Sequence, residues 1–583
     1  MIGIRTIAIA LAAPALMSVA PGHWHGPASA SRDITAPTRT AMHHGASMRA
    51  MISMSAAVVQ AEVPATIRLY NGLGRIAFPI TTASPVAQRY FDQGLGFSYG
   101  FNHAAAISSF REAQRLDASC AMCSWGEALA HGPNINAPLT PEANVEAIRA
   151  IRQAQSLAGP LTSPERALIQ ALAKRYADAP DANRASLDGA YADAMLLVAR
   201  YYPGNDDIAL LAAEAAMDTI PWDYWTAERQ PKPRIAEAVR LVEAVMARTP
   251  DHPQGAHLYI HLMENGPDPR LAEAAADRLA KPLSPDAGHL VHMPGHIYYV
   301  LGRWKDSIRL NIDAARVDEE YIRASNDRGL VRYGYYPHNV HFIVTSAQMA
   351  GDLPTAMREA KRLGDILDPD IASKIGWIQA IYAAPYFAGL QFAAPRDVLA
   401  MAAPDPRLPY ARAMRHYARA VAYAQLRDKQ GFDVEMTELG RIRQAPELKA
   451  TIDQGVPAGD LLEIAGMVAQ GRFASAHGRH LQAAAFYRQA IAVEGRMAYM
   501  EPPFWYYPVH QSLGSALYRA GRFGQAREAF AAALKKTPNN GWALYGLAAS
   551  ERALGHPAKA AAAQAALNRA WLGDPKWLRM DRL

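Results

Sequence analysis

Residues 507–538, YPVHQSLGSALYRAGRFGQAREAFAAALKKTP, read as two helices joined by a short turn. Gly514 and Ala526 are small enough to let the two helices approach closely, Phe530 fills the hairpin between them, and Pro538 stops the second helix. Leu513, Gly521 and Ala533 complete the pattern. The same spacing recurs in FDQGLGFSYGFNHAAAISSFREA (91–113) at Gly94, Ala106, Phe110 and Ala113. It returns at Gly471, Gly478, Ala483, Tyr487 and Ala490, at Gly295, Gly302 and Ala314, and at Gly351, Ala356, Ala360 and Leu363. A chain of 583 residues exceeds one ordinary domain, which calls for several domains or a repeat array. Abundant alanine and scarce runs of Val, Ile and Thr favour helices over sheets.

The spacing in 507–538 resembles the 34-residue tetratricopeptide repeat at its eighth, fifteenth, twentieth, twenty-fourth, twenty-seventh and thirty-second positions. The resemblance covers residues 85–575, with a poorer match over 135–210 and 370–460. It implies an all-α fold: an α-solenoid of helical hairpins whose stacking buries a continuous core. The segments GHLVHMPGHIYYVLGRW (288–304), YYPHNVHF (335–342) and CAMCSWGEALAHGPNINAP (120–138) are similar to segments of exported bacterial tetratricopeptide proteins of undefined activity. That similarity extends the fold expectation and names no reaction.

Half of the residues are apolar and a fifth are charged, and mean hydropathy is near zero, as in a soluble globular protein. The 60 cations exceed the 54 anions only slightly, and no Lys/Arg block stands out, which argues against nucleic acid as a partner. Near the N-terminus, Arg5 precedes an apolar run from Ile7 to Ala20, with Ala28-Ser29-Ala30 placed as a cleavage site. This is the layout of a secretory signal peptide over 1–30, giving a periplasmic or secreted protein. Met48-Arg49 opens a weaker stretch ending at Val59-Gln60-Ala61, explained by a later start or by a low-complexity linker. Residues 31–62 have the composition of a disordered linker. No later segment reaches the ~18 uninterrupted apolar residues of a membrane span. The remainder divides into N-terminal repeats (63–252), a central histidine-rich section (253–365) and C-terminal repeats (366–583).

Cys120 and Cys123, spaced C-x-x-C, are the only cysteines. In an oxidising compartment they make a local disulfide or an idle thiol pair, while a metal or redox pair is the sharper alternative. Ser124 stands where a haem-attachment motif needs histidine.

Histidine sets this chain apart from an ordinary scaffold. His257 and His261 with Glu264, then His289, His292 and His296, then His338 and His341, recur at helical spacing. In the repeat frame these, together with Tyr299, take the second, fifth, ninth and twelfth positions of successive units. In tetratricopeptide proteins such first-helix positions line the concave groove, so the resemblance implies one shared channel. Imidazoles three or four residues apart can chelate one ion, and seven histidines with a carboxylate exceed a single site, so a dinuclear centre or a metal with substrate-binding histidines is expected. Copper or zinc is favoured over iron by the exported location. Tyr299 is a candidate substrate contact or outer-shell donor. Two insertions, about 318–336 and 492–507, end in Tyr335-Tyr336-Pro337 and Phe504-Trp505-Tyr506-Tyr507-Pro508. Tyr335, Tyr336, Trp505 and Tyr506 either cap the core between repeats or wall the groove. His103 and His131 lie near the cysteines in sequence, and His477, His480 and His556 fall at turns.

Two functions compete. One is a metal-binding protein or metal-dependent enzyme, a hydrolase or an oxidoreductase, acting on a small molecule in the groove. The other is a metal-free scaffold that holds a peptide or protein there. No Ser-His-Asp order, phosphate loop or dinucleotide fingerprint offers a rival active site.

Overall fold

Hairpin after hairpin repeats the pattern of 507–538. In that unit the helices run Val509–Arg519 and Phe523–Lys536 and the next pair runs Gly541–Ala553 and Pro557–Ala570. Gly514 has the space reason expected of it: a Cβ there would lie 2.8 Å from the Phe530 ring. Gly546, on the following helix, is closer still at 2.2 Å, so Phe530 is gripped between two glycines on neighbouring helices. Phe110 sits identically between Gly94 (2.6 Å) and Gly126 (2.4 Å). Between the paired helices Gly521 turns the chain at φ +73°, a conformation that L side chains rarely adopt.

The computed structural model describes residues 63–583 apart from 65, 180, 181 and 282. The expected signal peptide and linker, 1–62, lie outside the described residues. Among the described residues there are helices throughout and no strand, only two isolated β-bridges, Asn134–Ala137 and Trp225–Pro231. The chain is therefore an all-α solenoid of tetratricopeptide-type hairpins. The poorly matched stretches are helical too. Residues 135–210 carry Pro141–Ser156, Ser163–Leu172 and Arg184–Tyr201. Residues 370–460 contain the short Gly376–Ile381, Ala384–Phe392 and Pro395–Ala400 helices, of which the latter two have proline in the first turn. No helix among the described residues is long and apolar enough to cross a membrane.

Two large apolar cores run through the stack. One gathers side chains from Leu73 to Tyr335, the other from Tyr299 to Leu583, and they meet where 297–343 contributes to both. Flanking repeats close over this middle. The Gly72 amide donates to Asp286 (2.9 Å) and the Tyr321 hydroxyl to Asn102 (3.4 Å). From the other side, Trp542 Nε1 donates to the Gln348 carbonyl (2.8 Å) and the Leu572 amide to that of Ala350 (2.8 Å). The central helices are thus covered by distant repeats, with consequences for the histidines they carry.

Candidate metal centre

Four helices carry the histidine row. Pro253–Met263 holds His257 and His261, with Glu264 as its C-cap. Gly288–His292 holds His289 and His292. Pro294–Val300 holds His296 and Tyr299. Tyr336–Ala350 holds His338 and His341, entered through a π-helical turn, Val331–Tyr335. What the spacing treats as one helix from 288 to 300 is broken at Met293, because Pro294 has no N–H to continue the ladder. Despite the break, His289, His292 and His296 all point inward.

The rings form one contiguous cluster. His257 lies 4.8 Å from His261 and 5.1 Å from His289, centroid to centroid. His292 lies 4.6 Å from His296 and 4.9 Å from His338. His261–His296 (5.6 Å) and His289–His292 (6.1 Å) join the two sets. Ligand atoms of His257, His261 and His289 fall within 4.8 Å of one another, and so do those of His292, His296 and His338. A third such group joins Glu264, His296 and Glu501. Nitrogens around a tetrahedral ion at ~2.1 Å stand roughly 3.4 Å apart, so each triad fits an ion after small side-chain adjustments.

The outer contacts of these rings are what a metal centre needs. His257 Nδ1 donates to Gln254 Oε1 (2.9 Å), His261 Nδ1 to Glu264 Oε1 (2.8 Å) and His292 Nδ1 to Asn311 Oδ1 (2.6 Å). The amide orientations are fixed in turn, because Gln254 Nε2 donates to Glu214 (3.2 Å) and Asn311 Nδ2 to the Ser307 carbonyl (2.8 Å). Engaging Nδ1 leaves Nε2 as the free lone pair, the tautomer suited to ligation. His257 Nε2 and His261 Nε2 have no hydrogen-bond partner, and neither ring nitrogen of His289 has one. Leaving buried polar atoms unpaired costs of order 1–3 kcal/mol each, a cost that a shared ion would remove.

Burial governs the charges. It holds His257 and His341 near 3 and pushes His261, His289, His292 and His338 well below the usual imidazole range, with neighbouring histidines adding to the effect at those four. His296 goes the other way. Burial works to lower it, but the Glu501 and Glu264 carboxylates overcome that and hold it protonated. Its Nδ1 donates to Glu264 Oε2 (2.5 Å) and contacts Glu501, while Nε2 faces His292 Nε2 at 2.7 Å. The proton between those two nitrogens stands where an ion shared by His292, His296 and His338 would sit.

These histidines do not face an open groove. His257 and His292 are 0% exposed, and the others in the row are buried except the half-buried His338. His261, His289, His296, His338 and His341 line a partly open cavity of about 130 Å3, walled also by Trp222, Leu330, Tyr335, Trp377, Ile381 and the 499–504 stretch, while His257 and His292 lie behind them. The walls come from Asn136 and Trp222, from Trp377 and Ile381, and from the insertion before Val509, none of which a helical wheel contains.

The remaining candidates separate. Tyr335 packs on His289 (4.7 Å) and lines the cavity. Tyr299 packs edge-on against Trp304 (5.0 Å) and Phe342 (5.4 Å). His341 lines the cavity and packs against Tyr506 (5.3 Å), outside both triads. Tyr336 is drawn away, its hydroxyl donating to Glu319 (2.6 Å) beneath Arg362. Trp505 is core, against Phe387 and Tyr417. The second insertion therefore does both things considered for it: its 499–504 part walls the cavity while Trp505 and Tyr506 pack the core. Cys120 and Cys123 form a disulfide, with Cys120 capping the Ala121–His131 helix. A further acidic group, Glu127, His131 and Glu146, is already neutralised by Arg111 (2.7 Å) and Arg149 (2.5 Å) on Glu127.

Glu501, Gln254 and Asn311 were not legible as site residues. Gln254 sits three residues before His257, a helical spacing that offered a weak signal. Glu501 lies more than 200 residues from His296 in sequence, in a segment without helical period.

No curated protein matches this chain. Among solved structures, the human IFIT1 dimer with m7Gppp-AAAA is similar at 12% identity and TM-score 0.31, over 77% of this chain and 89% of that one. Yeast Tom70 (12%, TM-score 0.25, 85% and 94%) and the P58(IPK) TPR domain (12%, TM-score 0.21, 80% and 98%) are also similar. The low scores leave the argument to the chain itself. The tetratricopeptide repeat family profile matches residues 508–550, the unit in which Phe530 is held between Gly514 and Gly546. The glycine–phenylalanine packing is repeated around Phe110, outside the matched residues, so the hairpin geometry of the tetratricopeptide repeat extends beyond the segment 508–550 that the family profile matches.

Proposed function

We propose that this protein is a metalloprotein in which a tetratricopeptide scaffold encloses a two-ion centre. His257, His261 and His289 hold one ion. His292, His296 and His338 hold the other, with Glu264 and Glu501 as carboxylates beside it. The observation that carries the reading is the convergence of two triads in which the Nδ1 atoms of His257, His261 and His292 are engaged by Gln254, Glu264 and Asn311. Three protein ligands per ion leave a position for substrate or water, as in catalytic rather than closed structural sites. An imidazole set suits copper, zinc and iron, and the proposed export favours copper or zinc over iron. A bound ion there would supply Lewis acidity for hydrolysis or a redox centre for oxygen chemistry.

Elemental analysis of the purified, untagged protein tests this. About two equivalents of one transition metal are expected, falling by half in His257→Ala/His261→Ala with helical content retained by circular dichroism. Metal absent from protein purified without chelator and reloaded with copper or zinc would end the reading. Export is part of the same proposal, supported by the Arg5 to Ala20 pattern and by a disulfide of the kind that persists in oxidising compartments. Cell fractionation with N-terminal sequencing of the mature chain checks it.

A protein-binding role is the second reading. The repeat scaffold supports it, and a polar pocket of about 340 Å3 among Arg427, Arg472, Tyr487, Gln511, Ser512 and Arg519 gives it a place away from the histidines. The metal and scaffold roles are compatible.

A further inference from the structure

The cavity over the histidines has two unlike walls. One is imidazole, with His261 Nε2, His341 Nε2 and both nitrogens of His289 lacking partners. The other is aromatic and apolar: Trp222, Tyr335, Trp377, Phe504, Leu330 and Ile381. Its volume is about 130 Å3. An apolar protein cavity of about 150 Å3 accepts benzene, so this space has room for one six-membered ring and fits a fused ring less well. Rings prefer tilted or edge-on neighbours, which the surrounding tryptophans and tyrosine supply.

We propose that the cavity binds a monocyclic phenol, with the ring among the aromatic side chains and the hydroxyl on the histidine wall. The hydroxyl requirement follows from His341 Nε2, which lies outside both triads and lacks a partner with or without the ions: a hydrocarbon would leave it buried and unsatisfied. Asn136 and Leu330 line both this cavity and a neighbouring pocket of about 290 Å3, which also involves Phe101, His103 and Thr140. The inference rests on the proposed metal centre only for the occupation of His261 and His289, and on the cavity and His341 for the ring and its hydroxyl.

Isothermal titration of the full-length, metal-reconstituted protein with phenol, cyclohexanol and 1-naphthol tests it, with metal content measured on the same samples. Phenol is expected to bind one to one at about 1 mM or tighter, with the other two at least tenfold weaker. Leu330→Trp and Ile381→Trp each fill the cavity without touching a ligand residue. Both are expected to abolish phenol binding while metal content is unchanged, and having two variants guards against one failing to fold. Metal bound with no phenol binding overturns this inference and leaves the metal centre standing. Phenol binding in protein that takes up no metal supports the cavity assignment and overturns the metal centre. Absence of both overturns both, and equal binding of cyclohexanol or 1-naphthol overturns the phenol assignment.

Discussion

Gln254 and Asn311 turn ordinary buried histidines into oriented ones. Each presents an amide oxygen to an Nδ1–H, and each is itself held by a donor bond to Glu214 or Ser307. Losing such a partner typically costs 10–100-fold in metal affinity. Gln254→Leu is therefore expected to weaken metal binding by about that factor, read by competition with a chromophoric chelator, with the fold unchanged by circular dichroism. Away from the cluster, half-buried His103 is lowered to about 4, first by burial and then by the charges of His131 and Arg175. In the unfolded chain it titrates near 6.5. Between those values the unfolded chain binds the extra proton, so stability present above about pH 6.5 is lost as pH falls toward 4. The ceiling is about 3 kcal/mol at ~1.36 per unit, reduced by the ring's partial exposure. His103→Gln should flatten the slope of unfolding free energy between pH 4 and 6.5 by up to one proton, measured in urea at stepped pH.

At the scale of the helix pair, the glycine–phenylalanine contact sets how closely neighbouring hairpins stack. A Cβ on Gly126 would stand 2.4 Å from Phe110, already clasped from the other side by Gly94. Gly126→Ala is expected to destabilise by about 1–3 kcal/mol, the usual cost of overpacking, visible as a lower urea midpoint. Gly440 meets nothing within 4 Å, so Gly440→Ala in the Lys429–Arg443 helix is the control: relief of helical glycine should stabilise by up to about 1 kcal/mol. The same scale explains the enclosed site. Between the hairpins the chain inserts 495–508, and its Phe504, Trp505 and Tyr506 anchor in the C-terminal core while Glu501 reaches His296. An element that looked like a break in rhythm is a wall of the cavity.

Over the whole molecule, the histidine cluster lies where two cores meet, with ligand groups from residues 257 to 501. An ion bound only by the folded state stabilises it by RT ln(1 + [L]/Kd), about 2.7 kcal/mol at a hundredfold excess over Kd. Chelation should therefore lower the melting temperature by several degrees, and readdition should restore it. Unfolding monitored at the C-terminal tryptophans Trp542 and Trp571 should shift together with the helical signal. A shift confined to one core would show that the centre does not join them.

Local spacing determined a good deal by itself. The hairpins, their helical class, the glycine contacts around Phe110 and Phe530, and the face shared by His257 with His261, or His292 with His296, all follow from interactions within a few tens of residues. Period and side-chain size carry that information directly. Whether those faces met water was decided elsewhere. Trp222, Trp377 and Glu501 reach the histidines because segments on either side fold over residues 253–350, and no pattern along the chain encodes which hairpins close on which. The expected shared channel is a partly open cavity over buried histidines for that reason: helix faces are written locally, while burial depends on contacts far apart in sequence.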